Sequence, residues 1–362
     1  MLSDSRFENR RRALAAKLAA QRVDSMLLTH LTNIRYFSGF SGSNAALLIN
    51  KDLSARIATD GRYTTQIAEE VPDIEALITR ALTSELLKEC EGPRRVGFEA
   101  AHMSVEALEQ LKQNISDEIT LVPVSGVAED IRIIKDAVEL DKLREVADIA
   151  NEAFAEMLEA GELVAGKREI DVAANLEYRM RLKGAERTSF DTIVASGPNS
   201  AKPHHGASER VIQHGDIVTV DFGAHKDGFN SDTTRTLIVG EADDFSREIY
   251  EIVLRAQEAG VAVSNPGTST QDVDRACREI IEDAGYGEYF VHSTGHGVGL
   301  DVHEAPAAAK NSQGELAEGM TLTVEPGIYV PGKGGVRIED TLVIKAGGAE
   351  NLTKLDKKLH II

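Results

Sequence analysis

The chain has 362 residues, which is longer than one average domain and favours two domains with separate cores. Asp and Glu number 59 against 40 Lys and Arg, and the resulting charge of -19 argues against nucleic acid and against anionic membrane as partners. Its two cysteines, Cys90 and Cys277, lie far apart without CxxC spacing, which argues against a disulfide framework and a zinc-thiolate site.

The N-terminal segment, residues 1–21, interrupts its apolar positions with Arg and Lys. It never builds the apolar run that a signal peptide or a membrane span requires. We therefore expect a cytoplasmic protein.

Helical and strand patterns alternate through the first third of the chain. Hydrophobic periodicity predicts an amphipathic helix over residues 4–20 and another helix over residues 104–113. Strands are predicted at residues 25–29, 45–49, 56–59, 74–78, 96–99 and 119–124. This alternation predicts a compact N-terminal α/β domain over residues 1–133.

The remainder, residues 134–362, begins with a long, charged, Ala-rich helix. Helices are predicted at residues 136–160, 167–183, 244–262 and 270–284. Between and after them lie two β-rich segments, residues 216–240 and residues 320–345. Helices and antiparallel hairpins thus form two similar sets, which predicts a duplicated α/β/α/β arrangement for this second domain.

The first β-rich segment contains two acidic residues, Asp221 in IVTVDFG and Asp232 in SDTTRT. Asp227 and Gly228 lie between them as the predicted turn of a hairpin. Two strands joined in this way can direct both carboxylates to one place. For an isolated pair, the alternative is that both acids are ordinary turn and strand-edge residues.

The second β-rich segment repeats the arrangement, with Glu325 in TLTVEPGIYV and Glu339 in VRIEDTLVIK. Both acids interrupt apolar strands, where an uncompensated carboxylate would cost several kcal/mol by order of magnitude. Arg337 is the obvious basic residue nearby. One or two divalent cations are therefore the favoured compensation, and a structural salt-bridge network is the alternative.

Five of the ten histidines fall in two short motifs, KPHHG and HSTGHGVGLDVHE. They are His204, His205, His292, His296 and His303. The sequence contains no GxSxG and no HExxH motif, and neither cysteine lies in a known catalytic pattern. We therefore expect water as the nucleophile, activated by metal.

Five segments, in order and correctly spaced, are typical of a known family: VDFGA, SDTTRT, STGHGVGLDVHEAP, VEPGIY and GVRIEDT. On these motifs the sequence resembles the pita-bread metallopeptidases, in the proline-directed branch that contains aminopeptidase P and prolidase. The resemblance covers nearly the whole chain. It implies an N-terminal α/β domain followed by a duplicated α/β catalytic domain of the pita-bread fold.

The resemblance also implies a dinuclear metal site. Asp221 would bind one metal bidentately, Asp232 and Glu339 would bridge both metals, and His296 and Glu325 would complete the set. A hydroxide held between the metals would attack the scissile carbonyl. The oxygen-rich set with one imidazole favours Mn²⁺, and Co²⁺ or Zn²⁺ are alternatives.

The resemblance assigns further residues to catalysis. His204, His292 and His303 would contact the substrate carbonyl, the proline side and the developing oxyanion. Arg337 would support the metal carboxylates, and Glu325 has a second possible task as acceptor of the proton from water. The family motif does not require His205, which can simply face solvent.

The function implied is that of an Xaa-Pro aminopeptidase, which cleaves between an N-terminal residue and proline in peptides with proline at position two. The alternative is an Xaa-Pro dipeptidase, since both enzymes use the same metal site. Methionine aminopeptidases lack the extra N-terminal domain, and creatinase has lost most of the ligands. A non-catalytic binding module on the same fold is the distant alternative. The resemblance also implies a homodimer.

Overall fold

The structure, a computed structural model, describes residues 5–88, 90, 92 and 94–362. It contains two compact units, Met1–Arg132 and Ile133–Ile362. The helix predicted over residues 4–20 is observed as Ser5–Leu18, and Asp4 lies outside the described residues.

The first unit is built on one mixed sheet. Its strands are β1 (Ser25–Leu28), β2 (Ala45–Asn50), β3 (Ala55–Thr59), β4 (Glu75–Ile78), β5 (Arg94–Glu99) and β6 (Ile119–Val124). Its helices are α1 (Ser5–Leu18), α2 (Leu31–Ser38), α3 (Thr64–Glu70), α4 (Leu82–Lys88), α5 (Val105–Gln113) and α6 (Glu129–Arg132). The strand order is β4-β3-β2-β1-β5-β6, and β2 runs antiparallel to both of its neighbours.

Burial explains the position of each strand in this sheet. All four residues of β1 are buried, as expected for a central strand covered on both faces. The edge strand β4 is mostly exposed. Helix α5 begins after Ser104, whose hydroxyl accepts a hydrogen bond from the Ala107 N–H and so caps the helix.

The second unit contains four long helices and fourteen strands among its described residues. The helices are α7 (Ala137–Glu159), α8 (Glu169–Leu182), α9 (Asp244–Val263) and α10 (Thr270–Asp283). The first strands are β7 (Arg187–Thr188), β8 (Ile193–Ser196), β9 (Ile217–Phe222), β10 (Ala224–Lys226), β11 (Phe229–Asn230) and β12 (Thr233–Ile238). The later strands are β13 (Gly295–Gly297), β14 (Glu304–Ala308), β15 (Thr321–Val324), β16 (Gly327–Val330), β17 (Gly334–Arg337), β18 (Asp340–Lys345), β19 (Gly348–Asn351) and β20 (His360–Ile361).

The two β-rich segments share one layout. In each, a long antiparallel pair encloses a short hairpin: β9 pairs with β12 around β10 and β11, and β15 pairs with β18 around β16 and β17. The predicted hairpin turn at Asp227 and Gly228 is confirmed, because both residues adopt positive φ angles of 51° and 86°. Each segment therefore has two breaks, which are the points where the chain passes from the first long strand into the short hairpin and from the hairpin into the second long strand.

Each β-rich segment packs on its own pair of helices. One core combines α7 and α8 with β8, β9 and β12, and Phe154 stacks on Phe222 within it at a centroid distance of 4.8 Å. The other core combines α9 and α10 with β15 to β18, and it includes the buried Cys277. Within the described residues, no helix is both long and apolar enough to cross a membrane.

Candidate metal centre and active site

The four acidic residues lie at the breaks between the long strands and the short hairpins. Asp221 is the last but one residue of β9, and Asp232 directly precedes β12. Glu325 directly follows β15, and Glu339 directly precedes β18. At such a break the side chain no longer has to alternate with its strand, so it can turn towards a shared site.

The two β-rich segments meet where these breaks lie. The Glu339 N–H donates to the Thr234 carbonyl at 3.1 Å, and the Thr234 hydroxyl donates to Glu339 Oε2 at 2.8 Å. Ligand atoms of Asp232, His296 and Glu339 all lie within 4.8 Å of one another. The structure therefore brings together one acid from each segment and the central histidine.

The carboxylates repel one another strongly. Burial, together with the neighbouring Asp221 charge, raises the pKa of Asp232 well above its usual range. Burial and the charge of Asp232 do the same to the pKa of Glu339. Among the described residues no Lys or Arg forms an ion pair with Asp232 or Glu339, and the basic group paired with Asp232 is His296, at 3.6 Å.

His296 lies between two of the acids. Its Nδ1 contacts the Gly297 carbonyl at 3.0 Å and therefore carries the hydrogen, because a carbonyl oxygen can only accept. Its Nε2 lies 3.2 Å from Glu325 Oε1 and 3.6 Å from Asp232 Oδ2. Although burial opposes the charge, the Glu325 carboxylate raises the pKa of His296 to about 9. Nε2 is the nitrogen positioned to bind a metal.

Two buried oxygens test whether these residues fit divalent cations. Within the part of the chain that the structure describes, Asp221 Oδ1 and Glu339 Oε1 are buried and have no hydrogen-bond partner. A buried carboxylate oxygen without a donor is costly, and a hard cation satisfies it. Four carboxylates and one imidazole in one place are a donor set that fits such cations.

Four of these residues, Asp221, Asp232, His296 and Glu325, line a cavity of about 450 Å³. Its lining residues are Phe190, Asp191, Ile193, Pro203, His204, His205, Gly206, Asp221, Asp232, His292, Ser293, His296, His303, Glu325 and Arg337. Glu339 is not among the lining residues, although its ligand atom lies within 4.8 Å of those of Asp232 and His296. His204 and His303 are exposed, whereas the rings of His205, His292 and His296 are partly buried.

A chain of hydrogen bonds runs along one wall of the cavity. Arg337 Nη1 donates to the Tyr329 hydroxyl at 2.8 Å, and that hydroxyl lies 2.8 Å from His292 Nε2. His292 Nδ1 contacts the Ser293 carbonyl at 2.7 Å and must carry the hydrogen, so Tyr329 donates to Nε2. Burial lowers the pKa of His292, in agreement with a neutral ring. Both ring nitrogens of His292 are thus already engaged within the protein.

Arg337 also hydrogen-bonds to two residues of the first β-rich segment. Its Nη2 donates to Asp221 Oδ2 at 2.7 Å, and its Nε donates to the Thr234 hydroxyl at 3.1 Å. The side chain is only 4% exposed. Arg337 therefore orients Asp221 directly, and it supports Glu339 through Thr234.

Sequence reasoning missed Tyr329. The pairing of β16 with β17 places Gly327 opposite Arg337 and Gly335 opposite Tyr329, so the two long side chains share one face. A Cβ at Gly327 would lie 2.5 Å from the Tyr329 hydroxyl, and a Cβ at Gly335 would lie 2.8 Å from the Tyr329 ring. The sequence signal was the glycine opposite each large side chain: Gly327 in VEPGIY faces Arg337, and Gly335 in GGVR faces Tyr329. Such glycines leave room for a large side chain to lie across the hairpin.

His205 does not simply face solvent, as the sequence allowed. Its Nε2 lies 2.8 Å from an oxygen of Glu169, a fully buried carboxylate that sequence analysis did not single out. A lone Glu at the start of a helix resembles an ordinary surface residue, so no pattern indicated its role.

The first unit contains a second group of possible ligands, His30, Glu99 and Glu129. The Asn33 amide nitrogen donates to Glu99 at 2.7 Å and to Glu129 at 2.8 Å, while the Thr29 N–H donates to Glu99 at 2.6 Å. These donors already satisfy the facing oxygens, so this group differs from the second unit's site and serves to anchor α2.

Comparison with known families decides the class of protein. The family model described as metallopeptidase family M24 matches residues 141–346, and that of the creatinase/prolidase N-terminal domain matches residues 10–134. The chain belongs to metallopeptidase family M24. The sequence prediction of a metallopeptidase with an N-terminal α/β domain and a pita-bread domain is thereby confirmed.

Similar proteins cover this M24 peptidase almost completely. An Xaa-Pro dipeptidase of Pyrococcus furiosus is 39% identical over 340 residues, 93% of this chain and 95% of its own. The structure of an Xaa-Pro dipeptidase from Bacillus anthracis matches with a TM-score of 0.94 at 41% identity, over 98% of this chain and 100% of that one. An X-Pro aminopeptidase from Thermotoga maritima matches with a TM-score of 0.88 at 34% identity, over 97% and 99%.

Proposed function

We propose that this M24 peptidase is an Xaa-Pro dipeptidase, which hydrolyses the bond between an N-terminal residue and a C-terminal proline. Sequence analysis placed the Xaa-Pro aminopeptidase first and the dipeptidase second. The names of the more similar relatives favour the second, since both the Pyrococcus furiosus and the Bacillus anthracis proteins are called dipeptidases. The aminopeptidase remains the other candidate because the Thermotoga maritima neighbour carries that name.

The metal-dependent hydrolysis in this proposal rests on a set of five donor residues, four of which line the cavity. Asp221, Asp232, His296, Glu325 and Glu339 would hold two divalent cations, and the two orphaned carboxylate oxygens support this assignment. When bound, the cations would lower the pKa of a water molecule and so supply the nucleophile. Mn²⁺ suits the oxygen-rich set best.

The protein's own groups would then act on substrate and proton. Glu325, whose Oε1 lies 3.2 Å from His296 Nε2, would accept the proton of the attacking water as its second task. His204 and His303 are the exposed histidines of the cavity and would contact the substrate carbonyl and the developing oxyanion. His292, whose pKa is lowered by burial, would contact the proline side of the substrate.

The cavity is suited to a small ligand. Its volume of about 450 Å³ falls towards the lower end of the range of roughly 300–1,000 Å³ that is typical of small-molecule sites. Phe190, Ile193 and Pro203 supply an apolar surface against which a proline ring can pack. A homodimer and a cytoplasmic location remain predictions from the sequence.

Substrate length tests the proposal. Protein stripped of metal and reloaded with Mn²⁺ is assayed on Ala-Pro, Ala-Pro-Ala-Ala and Ala-Ala. We expect cleavage of Ala-Pro alone. Efficient cleavage of the tetrapeptide would establish the aminopeptidase instead. Absence of any cleavage by protein with metal demonstrably bound would leave only the binding module.

A further inference from the structure

Glu169 is a buried carboxylate that belongs to none of the predicted metal or catalytic sets. It is the first residue of α8, and none of its surface is exposed. Oε1 accepts hydrogen bonds from the Ser196 N–H at 2.8 Å and the Ser196 hydroxyl at 2.7 Å. Oε2 accepts from the Ser208 N–H at 3.1 Å and the Ser208 hydroxyl at 2.6 Å. The Asn199 amide lies between the two oxygens, at 3.1 and 3.3 Å.

His205 completes this set of donors. Its Nε2 lies 2.8 Å from Glu169 Oε2 and must carry a hydrogen, because an ionised carboxylate can only accept. Burial alone would raise the pKa of Glu169, but the donors from Ser196, Ser208, Asn199 and His205 outweigh it and lower the pKa to about 2. The carboxylate is therefore ionised at neutral pH, and its hydrogen bonds are charge-assisted.

All of these donors lie in one segment, residues 196–208, which starts at the last residue of β8 and passes the cavity as a loop on the way to β9. Pro203, His204, His205 and Gly206 from this loop line the cavity. Glu169 holds the loop on both sides of the exposed His204, at Asn199 before it and at His205 and Ser208 after it. His204 itself is left facing the cavity.

The short hairpin of the second β-rich segment holds the same loop from the other side. Arg337 Nη1 donates to the Pro203 carbonyl at 3.3 Å, and the Gly335 N–H donates to the Ser200 hydroxyl at 2.9 Å. Arg337 also binds Asp221 of the metal centre. The loop is thus held at both residues that flank His204. Pro203 bonds to Arg337 at the metal centre, and His205 bonds to Glu169 of α8.

We propose that Glu169 is a positioning residue for catalysis, which acts through His205 to fix the cavity loop and to hold His204 against the substrate. The two adjacent histidines of KPHHG then have separate tasks: His204 contacts the substrate, and His205 anchors the loop. This inference rests on the proposed function for its kinetic consequences, although the tie itself can be tested without turnover.

The kinetic test compares the Mn²⁺-loaded variants E169Q, H205A and H205Q with the wild type on Ala-Pro. Because displacement of a substrate-contacting group by about 1 Å can cost ~10²-fold in rate, we expect E169Q and H205A to lose about 10-fold or more in kcat/KM with unchanged metal content. H205Q retains a donor amide and should recover most of the loss. H205A and H205Q decide the question even if E169Q folds poorly.

A matched control separates positioning from general stability. Glu139 is another buried carboxylate of the same unit, and it forms a capping box with Asp136 at the start of α7. E139Q should lower the melting temperature and leave kcat/KM unchanged. A loss of kcat/KM in E139Q equal to that in E169Q would show that any buried carboxylate matters, and would overturn the proposal.

A double-mutant cycle tests whether Glu169 works through His204. In the H204A background, E169Q should add little further loss, because the side chain that it positions is gone. Full additivity of the two losses would contradict the proposal.

Hydrogen exchange supplies a readout that needs no turnover. In E169Q the backbone amides of residues 197–208 should exchange faster than in wild type, and in E139Q they should not. Unchanged exchange of this loop in both E169Q and H205A would contradict the proposal that Glu169 and His205 fix the loop. Failure of the wild type to cleave Ala-Pro would instead reject the proposed function, whatever the exchange pattern.

Discussion

At the residue scale, the histidines of the cavity occupy different environments although their motifs look alike. His292 hydrogen-bonds to the Tyr329 hydroxyl and the Ser293 carbonyl, and His205 hydrogen-bonds to Glu169. His303 is exposed, and its ring packs edge-on against His296 at a centroid distance of 4.4 Å. Burial and the neighbouring His296 charge lower the pKa of His303, so its ring is neutral near pH 7. It is therefore suited to donate one hydrogen bond to substrate.

Replacement of His303 with Ala should slow hydrolysis of Ala-Pro without loss of metal. Removal of one hydrogen bond to the developing oxyanion costs ~10²-fold or more in kcat. The measurement is steady-state kinetics together with the metal content of the purified variant. Equal rates for the variant and the wild type would remove His303 from the mechanism, and loss of metal would assign it to the metal centre.

The acids of the second β-rich segment stood out in the sequence because they interrupt apolar strands, and the resemblance to a known family implied the full set of five ligands. The structure brings Asp232, His296 and Glu339 together, with Asp221 and Glu325 beside them in the lining of the cavity. Their roles as ligands remain predictions. Tyr329 and Glu169 could not be found in this way, because their importance arises from tertiary contacts that leave no periodic pattern.

At the element scale, the long helices were predicted almost to the residue. The predicted helix over residues 136–160 is observed as Ala137–Glu159, with Asp136 as its cap. Long amphipathic segments carry enough turns for their period to be read. The two-residue and three-residue strands β7, β13 and β20 were not predicted, because such short strands cannot display an alternating pattern.

An ion pair connects two elements of the second unit. Arg144 on α7 donates two hydrogen bonds to Glu350 on β19, each of 2.8 Å, and Lys345 also contacts Glu350. The hydrogen bonds from Arg144 outweigh burial and lower the pKa of Glu350 to about 2 from 4.5. A lowered carboxyl pKa means that this stabilisation is complete above about pH 4.5 and is lost as pH falls towards 2.

E350Q should therefore destabilise the protein at neutral pH by a modest amount. We expect about 1 kcal/mol or less, because the pair is partly exposed to solvent. Urea unfolding of wild type and E350Q at pH 7 and at pH 3 measures the effect, and the difference between the two proteins should shrink at pH 3. An equal difference at both pH values would show that the Glu350 charge is not its origin.

At the scale of the whole molecule, sequence alone could not choose between aminopeptidase and dipeptidase. Both enzymes share the metal centre, and the choice depends on how far the cavity extends past the proline. The loop over residues 196–208 lines the cavity, and its course depends on tertiary contacts with Glu169 and Arg337 that no sequence pattern displays. The relatives named dipeptidases, rather than any motif, favour the proposed function.

Under the proposed function, cleavage before proline requires two divalent cations held by Asp221, Asp232, His296, Glu325 and Glu339. The most direct test is titration of the metal-free protein with Mn²⁺ while bound metal and Ala-Pro hydrolysis are measured together. We expect no activity without metal and full activity at two ions per chain. We expect D232N neither to bind metal tightly nor to turn over substrate. Hydrolysis by the metal-free protein, or a fully active D232N that retains both ions, would contradict this proposal.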